Sequence, residues 1–369
     1  MAPKLMWTKM KLSFLREVFF FILLLSICAC KKPAKEPSPP QEASFYRAAD
    51  LSAWPEIERA QLEFFNQDSV AANFLDILQS EGLNTVRLRL WHQPDGSHHS
   101  LAEVDSFSRV LKARGLKLWL CLHLSDTWAD PGQQQIPSAW NNLPLSTLQD
   151  SLYHYVYRVT QQLQPDIIQI GNEINAGFLW PYGDRWQQSA NFKTLLDTAI
   201  LAARAAHSRG EIMLHYAGIN QGALDFFEDL PEFDFDIIGL SYYPIWHGKS
   251  LLELENTLDA LGAKYRQSLM IAETAYPFTL DWNDWTNNIV GLEDQLIPGF
   301  PASPAGQADF VKEIRRIVEA NPKGLGFGYW GGELVAWKGA QASDASPFEN
   351  QALFNFNNRA LPVQSVFNP

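Results

Sequence analysis

The stretch Asp166-Ile-Ile-Gln-Ile-Gly-Asn-Glu-Ile-Asn175 decides the reading of the fold. A short apolar run, rich in β-branched residues, ends abruptly in glycine, amide and carboxylate. Residues 167–170 are too few for a globular helix, and so apolar a run suits a strand buried on both faces. Gly171 lets another backbone or a ligand come close, and Asn172, Glu173 and Asn175 crowd at the polar end. A second stretch, Leu269-Met-Ile-Ala-Glu-Thr-Ala-Tyr276, has the same grammar, with Glu273 at its end. Barrels and open parallel sheets carry their chemistry at the carboxyl ends of buried strands. The two glutamates therefore read as a carboxylate pair, or, more plainly, as two solvated strand termini.

Outward from this stretch, strand-like runs alternate with amphipathic helical runs. Strands are predicted at residues 45–51, 83–91, 115–123, 166–170, 212–216, 236–243, 269–273 and 325–330. Helices are predicted at 70–79, 101–113, 146–163 and 251–265. The clearest helix carries Phe192, Leu195, Leu196, Ala199, Ile200 and Ala203 at i, i+3, i+4 spacing, with Ser189 as N-cap and Gly210 beyond its end. Another starts at Ser303 and Pro304 and bears Phe310, Ile314, Ile317 and Val318. Eight strands alternating with helices, without a break of domain size, predict a single (β/α)8 TIM barrel over residues 45–369. An open doubly wound sheet is the structural alternative, but no Gly-rich phosphate loop follows the first strand. Parity in the second strand places Val86, Leu88 and Leu90 on one face and Arg87, Arg89 and Trp91 on the other. If the apolar face packs on helices, both arginines point inward, with Arg89 nearer the carboxyl end.

The chain of 369 residues, 46% hydrophobic, can bury a large core. A formal net charge of −12 argues against a nucleic-acid surface. Thirteen Trp, 11 Tyr and 23 Phe suit a carbohydrate site, because aromatic faces stack on sugar rings, though a large core would use them too. Residues 1–30 read as a targeting segment: Lys4, Lys9, Lys11 and Arg16 precede an uncharged run over 18–29 of secretory length. The run ends in Leu25-Ser-Ile-Cys-Ala-Cys-Lys-Lys32, which resembles a bacterial lipoprotein signal with Cys30 as the acylated residue; an ordinary cleaved signal peptide or a membrane anchor is the alternative. Residues 31–44, rich in Pro, Lys, Glu and Ser, read as a tether. The expected location is the cell envelope, with a lipid anchor in the membrane. Cys121 is the one cysteine beyond this region, so the domain has no intrachain disulfide to rely on.

The carboxyl ends of the predicted strands gather Asp50, Arg89, Trp91, His123, Asp126, Asn172, Glu173, His215, Tyr216, Tyr243, Glu273 and Trp330. In a barrel these converge on one face. Two carboxylates about a glycosidic bond make chemical sense: one delivers a proton to the leaving oxygen while the other places negative charge near the anomeric carbon. Their surroundings must then separate their pKa values. Arg89 is the candidate to hold the nucleophile ionised, and Asn172 the candidate to bond the sugar 2-hydroxyl.

Five segments carry a resemblance: Thr85-Val-Arg-Leu-Arg-Leu-Trp91, Ser125-Asp-Thr-Trp-Ala-Asp-Pro-Gly132, Ile170-Gly-Asn-Glu-Ile-Asn175, Ile238-Gly-Leu-Ser-Tyr-Tyr-Pro244 and Ala272-Glu-Thr-Ala-Tyr276. Together they resemble glycoside hydrolase family 53, the endo-β-1,4-galactanases. The resemblance implies Glu173 as acid/base, Glu273 as nucleophile, a covalent glycosyl-enzyme, retention of configuration and pectic galactan as substrate. A carboxyl separation of ~5–5.5 Å follows for such a mechanism. Asp126, Trp128, Asn175, Tyr243, Trp246, His247 and Trp330 become candidate sugar contacts, with Arg89, His123 and Asn172 beside them. The sequence departs from the family pattern at Ala48-Ala-Asp50, at Gln67-Asp68 and at Tyr329-Trp-Gly-Gly-Glu-Leu334, where Tyr-Trp-Glu-Pro is usual.

No organic cofactor is expected. His98-His99 with Asp95 read as a solvated loop rather than a metal site, and Asp281-Trp-Asn-Asp-Trp285 is a candidate calcium loop without the spacing of a calcium hand. Two other functions share much of the pattern: a surface lipoprotein that binds glycan without cleaving it, and a retaining β-mannanase or xylanase, which would share Asn172-Glu173 but not the Ser-Asp-Thr-Trp-Ala-Asp-Pro segment.

Overall fold

Strand and helix alternate around a closed parallel barrel in the computed structural model, which describes residues 45–369. Its strands are β1 (Tyr46–Asp50), β2 (Thr85–Leu90), β3 (Lys117–Leu122), β4 (Ile167–Ile170), β5 (Glu211–Ala217), β6 (Ile237–Ser241), β7 (Ser268–Thr274) and β8 (Gly324–Tyr329). Each pairs with its neighbour in sequence, and β1 pairs with β8 to close the ring. The signal segment, the tether and Cys30 lie outside the described residues.

Local chemistry fixes where the helices begin. Ser100, Ser250 and Ser303 cap the helices Leu101–Ala113, Leu251–Lys264 and Pro304–Ala320, their side chains accepting from Glu103 N, Glu253 N and Gly306 N. The helix expected from residue 70 starts instead at Phe74, because Asn73 accepts from the amides of Leu75 and Asp76. Ser189 is the first residue of the helix Ser189–Ala206 rather than its cap; Gln188 takes that position with no side-chain cap bond. An unforeseen helix, Gln221–Glu228, lies between β5 and β6. Its eight residues, capped by Asn220, are too few to show a period, but Ala223, Phe226 and Phe227 are buried.

Two apolar cores flank the sheet. The larger lies between strands and helices. The smaller plugs the barrel with Tyr46, Ala48, Trp119, Ile167, Met213, Ile237, Met270, Ala272 and Leu325. Trp119 Nε1 donates to Gln169 Oε1 at 3.1 Å, and there the interior turns polar. Arg87, Gln169, Asn172, His215, Ser241 and Glu273 follow toward the carboxyl end, all buried.

Candidate active site

Pairing of β1 with β2 sets Asp50 opposite Arg87. The Arg87 guanidinium then bridges three strands: Nη1 donates to Asp50 Oδ2 at 2.6 Å, and Nη2 reaches Asn172 Oδ1 at 2.8 Å and Glu273 Oε1 at 2.7 Å. Tyr243 Oη donates to the other oxygen of Glu273 at 3.0 Å. Burial would lift Asp50, but Arg89, Arg87 and the bonds from Ser52 hold it below the usual carboxylate range. Burial above all holds Glu273 above the usual carboxylate range, with the Asp50 charge adding and Arg87 and the Tyr243 hydroxyl opposing. Both arginines point inward, as parity predicts, but the partner of Glu273 is Arg87, not Arg89. Two residues nearer the rim, Arg89 stacks its guanidinium over Trp128, 4.0 Å from the ring centroid.

Glu173 follows β4 in a left-handed conformation, φ +48°, two residues after Gly171 at φ +73°. This double reversal turns its carboxylate back over the barrel mouth. Ser241 Oγ donates to Glu173 Oε1 at 2.5 Å, and His215 Nε2 lies 2.9 Å from the same hydroxyl. At the other edge of the His215 ring, Nδ1 lies 2.9 Å from Gln169 Nε2 and accepts from Glu173 N at 3.4 Å. Those donors assign the proton to Nε2, which donates to Ser241, and Ser241 in turn donates to Glu173. Burial and then Arg87 keep His215 neutral. Glu173 is pushed up to about 8, first by burial and then by the charge of Glu273. One oxygen of Glu173 and one of Glu273 lie within 4.8 Å of each other. His215 completes that close group, with both ring nitrogens engaged by protein partners.

These acids form the floor of a cleft of about 740 Å³. On one side Trp330 meets Phe348 at 4.4 Å between centroids and Trp128 at 6.4 Å. On the other, Tyr243 packs edge-on against Trp246, which is 54% exposed. Arg89, His123, Trp128, Asn172, Tyr243, Trp246, His247 and Trp330 all line the cleft. Asp126 and Asn175 are not among its lining residues. Asp126 spends its oxygens on the amides of Gln93 and Ser138 and on the Ser138 hydroxyl, holding a loop. Asn175 clamps the end of β5, donating to Ala217 O and accepting from Ala217 N, both at 2.8 Å. His123 Nδ1 accepts from Trp91 Nε1 and from Ala129 N, so its role begins with loop support. Sequence reasoning passed over Ser241, a small residue inside a strand; its place in Leu-Ser-Tyr-Tyr at the end of β6 was the available signal.

The sequence profile of glycosyl hydrolase family 53 matches residues 46–367. The chain belongs to that family. An arabinogalactan endo-β-1,4-galactanase of Cellvibrio japonicus is 34% identical over 349 residues, covering 88% of this chain and 90% of the relative. The family 53 catalytic domain of Ignisphaera aggregans superposes with a TM-score of 0.82 at 35% identity, over 90% of this chain and 97% of that one. A structure of fungal β-1,4-galactanases gives 0.75 at 28% identity, over 87% and 98%. A β-1,4-mannanase at 16% identity and TM-score 0.51 shares the fold alone.

In this family 53 member the departing strand-eight segment brings a further buried acid toward the site. Glu333 Oε1 accepts from Ala53 N at 2.8 Å, tying the loop after β8 to the loop after β1. Burial, then the charge of Asp50, pushes Glu333 up to about 8. His98 lies 3.0 Å from Glu103 and 3.5 Å from Glu56. His99 Nε2 lies 3.4 Å from Arg89 Nη2, a poor setting for a metal cation. Within the candidate calcium loop Asp284 Oδ2 is buried with no hydrogen-bond partner among the described residues, as are Asn288 Oδ1 and Glu349 Oε2 outside it. Hard oxygen donors of this kind suit calcium.

Proposed function

We propose that the protein cleaves internal β-1,4-galactosidic bonds of pectic galactan by a retaining double displacement, with Glu173 as acid/base and Glu273 as nucleophile. One observation carries the reading. Two carboxylates share a cleft floor with oxygens within 4.8 Å, one bonded to Arg87 and the other pushed up to about 8. Of such a coupled pair, the group facing the arginine ionises first and the other keeps the proton. Oxygens this close support the close-set retaining arrangement over the ~6.5–9.5 Å separation that leaves room for water in inverting enzymes.

In the first step a Glu273 oxygen bonds the anomeric carbon as the glycosidic C–O bond breaks and the Glu173 proton passes to the leaving oxygen. Ser241 donates to Glu173 Oε1, which leaves Oε2 to carry that proton. In the second step the Glu173 carboxylate takes a proton from water, the water oxygen bonds the anomeric carbon, and the bond to Glu273 breaks. Arg87 and Tyr243 receive the charge that returns to Glu273. Asn172 offers its side chain from the same floor, with Nδ2 donating to Ala129 O and Oδ1 held by Arg87. Cellvibrio and fungal relatives named as galactanases support galactan as the substrate.

Product release on linear β-1,4-galactan, β-mannan and xylan tests the reading. Wild type should release galacto-oligosaccharides with the β-anomer first by NMR. Glu173→Gln should lose roughly 10²–10⁴ in kcat, and Glu273→Gln should fall to background. Activity confined to mannan or xylan would overturn the substrate, and galactan binding without cleavage would overturn the chemistry.

The sequence at Leu25–Lys32 supports acylation of Cys30 and a cell-envelope location with the domain tethered at the membrane. Cys30→Ser should then move the protein from the membrane to the soluble fraction, and an unchanged distribution would sink the idea. Calcium, if bound, would be held by Asp284, Asn288 and Glu349; it would brace the loop after β7, leaving the hydrolytic steps to the glutamates.

A further inference from the structure

The aromatic cleft wall has a second layer behind it. Residues 278–290, in the loop after β7, are zipped to residues 342–350, in the loop after β8. Phe278 N donates to Asn350 O, Trp285 N to Ala342 O and Ile289 N to Pro347 O, each at 2.9 Å. Asn350 Nδ2 donates to the carbonyls of Thr279 and Val290, and Ala345 N donates to Thr286 Oγ1. Ala345, Pro347 and Phe348 line the cleft. The loop after β7 therefore flanks the segment that walls the cleft.

On this outer layer stand Trp282 and Trp285, 52% and 64% exposed. Neither ring meets another aromatic ring or lies under a cation among the described residues. A tryptophan left in water forgoes the burial that makes it valuable, and exposed rings with polar neighbours mark binding surfaces. The backbone beneath them is pinned: the amides of Asn283 and Asp284 both donate to the buried Glu349 Oε1, at 2.6 and 3.3 Å. Rings on a held backbone can bind without a large ordering cost. Trp186, 72% exposed, is different, because the Arg185 guanidinium covers its ring at 4.6 Å.

We propose that Trp282 and Trp285 form a second galactan-binding platform outside the catalytic cleft. Its occupant is the distal part of the same polysaccharide chain, carried over the wall formed by residues 345–348. A galactosyl ring suits the platform: its axial O4 gathers the C3, C4 and C5 hydrogens on one apolar face, which can lie on indole. This inference deepens the galactanase reading and rests on it. The platform raises the capture of long chains and leaves bond cleavage untouched.

The test compares wild type with W282A/W285A on long linear galactan and on galactotetraose. In the Glu273→Gln background, retardation in galactan-containing native gels reads binding alone. The double variant should lose roughly three- to tenfold in kcat/KM on the polymer and show weaker retardation, with galactotetraose turnover within about twofold of wild type. Equal losses on both substrates, or no loss on the polymer, overturn the platform. Wild-type turnover of β-mannan but not galactan would instead overturn the substrate assignment. Galactan retardation of the Glu273→Gln protein then decides the platform independently: weakened by W282A/W285A it upholds the platform, unchanged it overturns it.

Discussion

At the scale of single residues, the site works by giving two glutamates unequal neighbours. Glu273 faces a guanidinium and a phenol; Glu173 faces one serine hydroxyl and the charge of Glu273. Activity should therefore fall at low pH as Glu273 takes up a proton, and at high pH as Glu173 loses one near about 8. Ser241 positions and tunes Glu173 without touching the reacting atoms. Its hydroxyl donates to the carboxylate and so favours the ionised form. Ser241→Ala removes that donor, raising the Glu173 pKa, so the basic limb of kcat/KM should move up by about 0.5–1 pH unit, the size of one such hydrogen bond. A basic limb that stays put or moves down would overturn this tuning role for Ser241.

Among the elements, the turn after β4 decides where the acid points. Gly171 has φ +73°, and a Cβ there would meet Ile174 Cγ2 at 2.4 Å. Ile174 is fully buried and cannot step aside. Gly171→Ala combines left-handed strain with a clash and should cost about 1–3 kcal/mol, read as a drop in thermal midpoint with reduced kcat. Unchanged stability and kcat would mean that the turn tolerates a side chain. How much of this level was legible follows from the same segment. Its apolar run and glycine announce a buried strand with a polar end, and the eight-strand alternation follows from similar runs. The helix Gln221–Glu228 escaped because eight residues span about two turns, too few to establish a period.

For the whole molecule, the face carrying the site is braced by the loops after β7 and β8, whose mutual hydrogen bonds hold one cleft wall. If calcium satisfies the buried oxygens of Asp284, Asn288 and Glu349, chelation with EDTA should lower the thermal midpoint by several degrees and calcium should restore it, because a ligand bound only to the folded state stabilises it by mass action. A midpoint indifferent to both would remove calcium from this loop.

The sequence by itself determined the barrel, the two catalytic candidates and most of the cleft rings, because strand period, β-branching and abrupt polar ends are local properties of the chain. Tertiary structure decided which arginine serves Glu273. Both arginines point inward by parity, but only the Asp50–Arg87 register, at the depth where β4 and β7 deliver Asn172 and Glu273, brings one guanidinium within reach of all three partners. It also decided that Asp126 and Asn175 spend their polar atoms on backbone, and that Ser241 meets Glu173 across 68 residues of chain. Those outcomes depend on which strands become neighbours and how far each side chain reaches, and distances of that kind are set only when the ring closes.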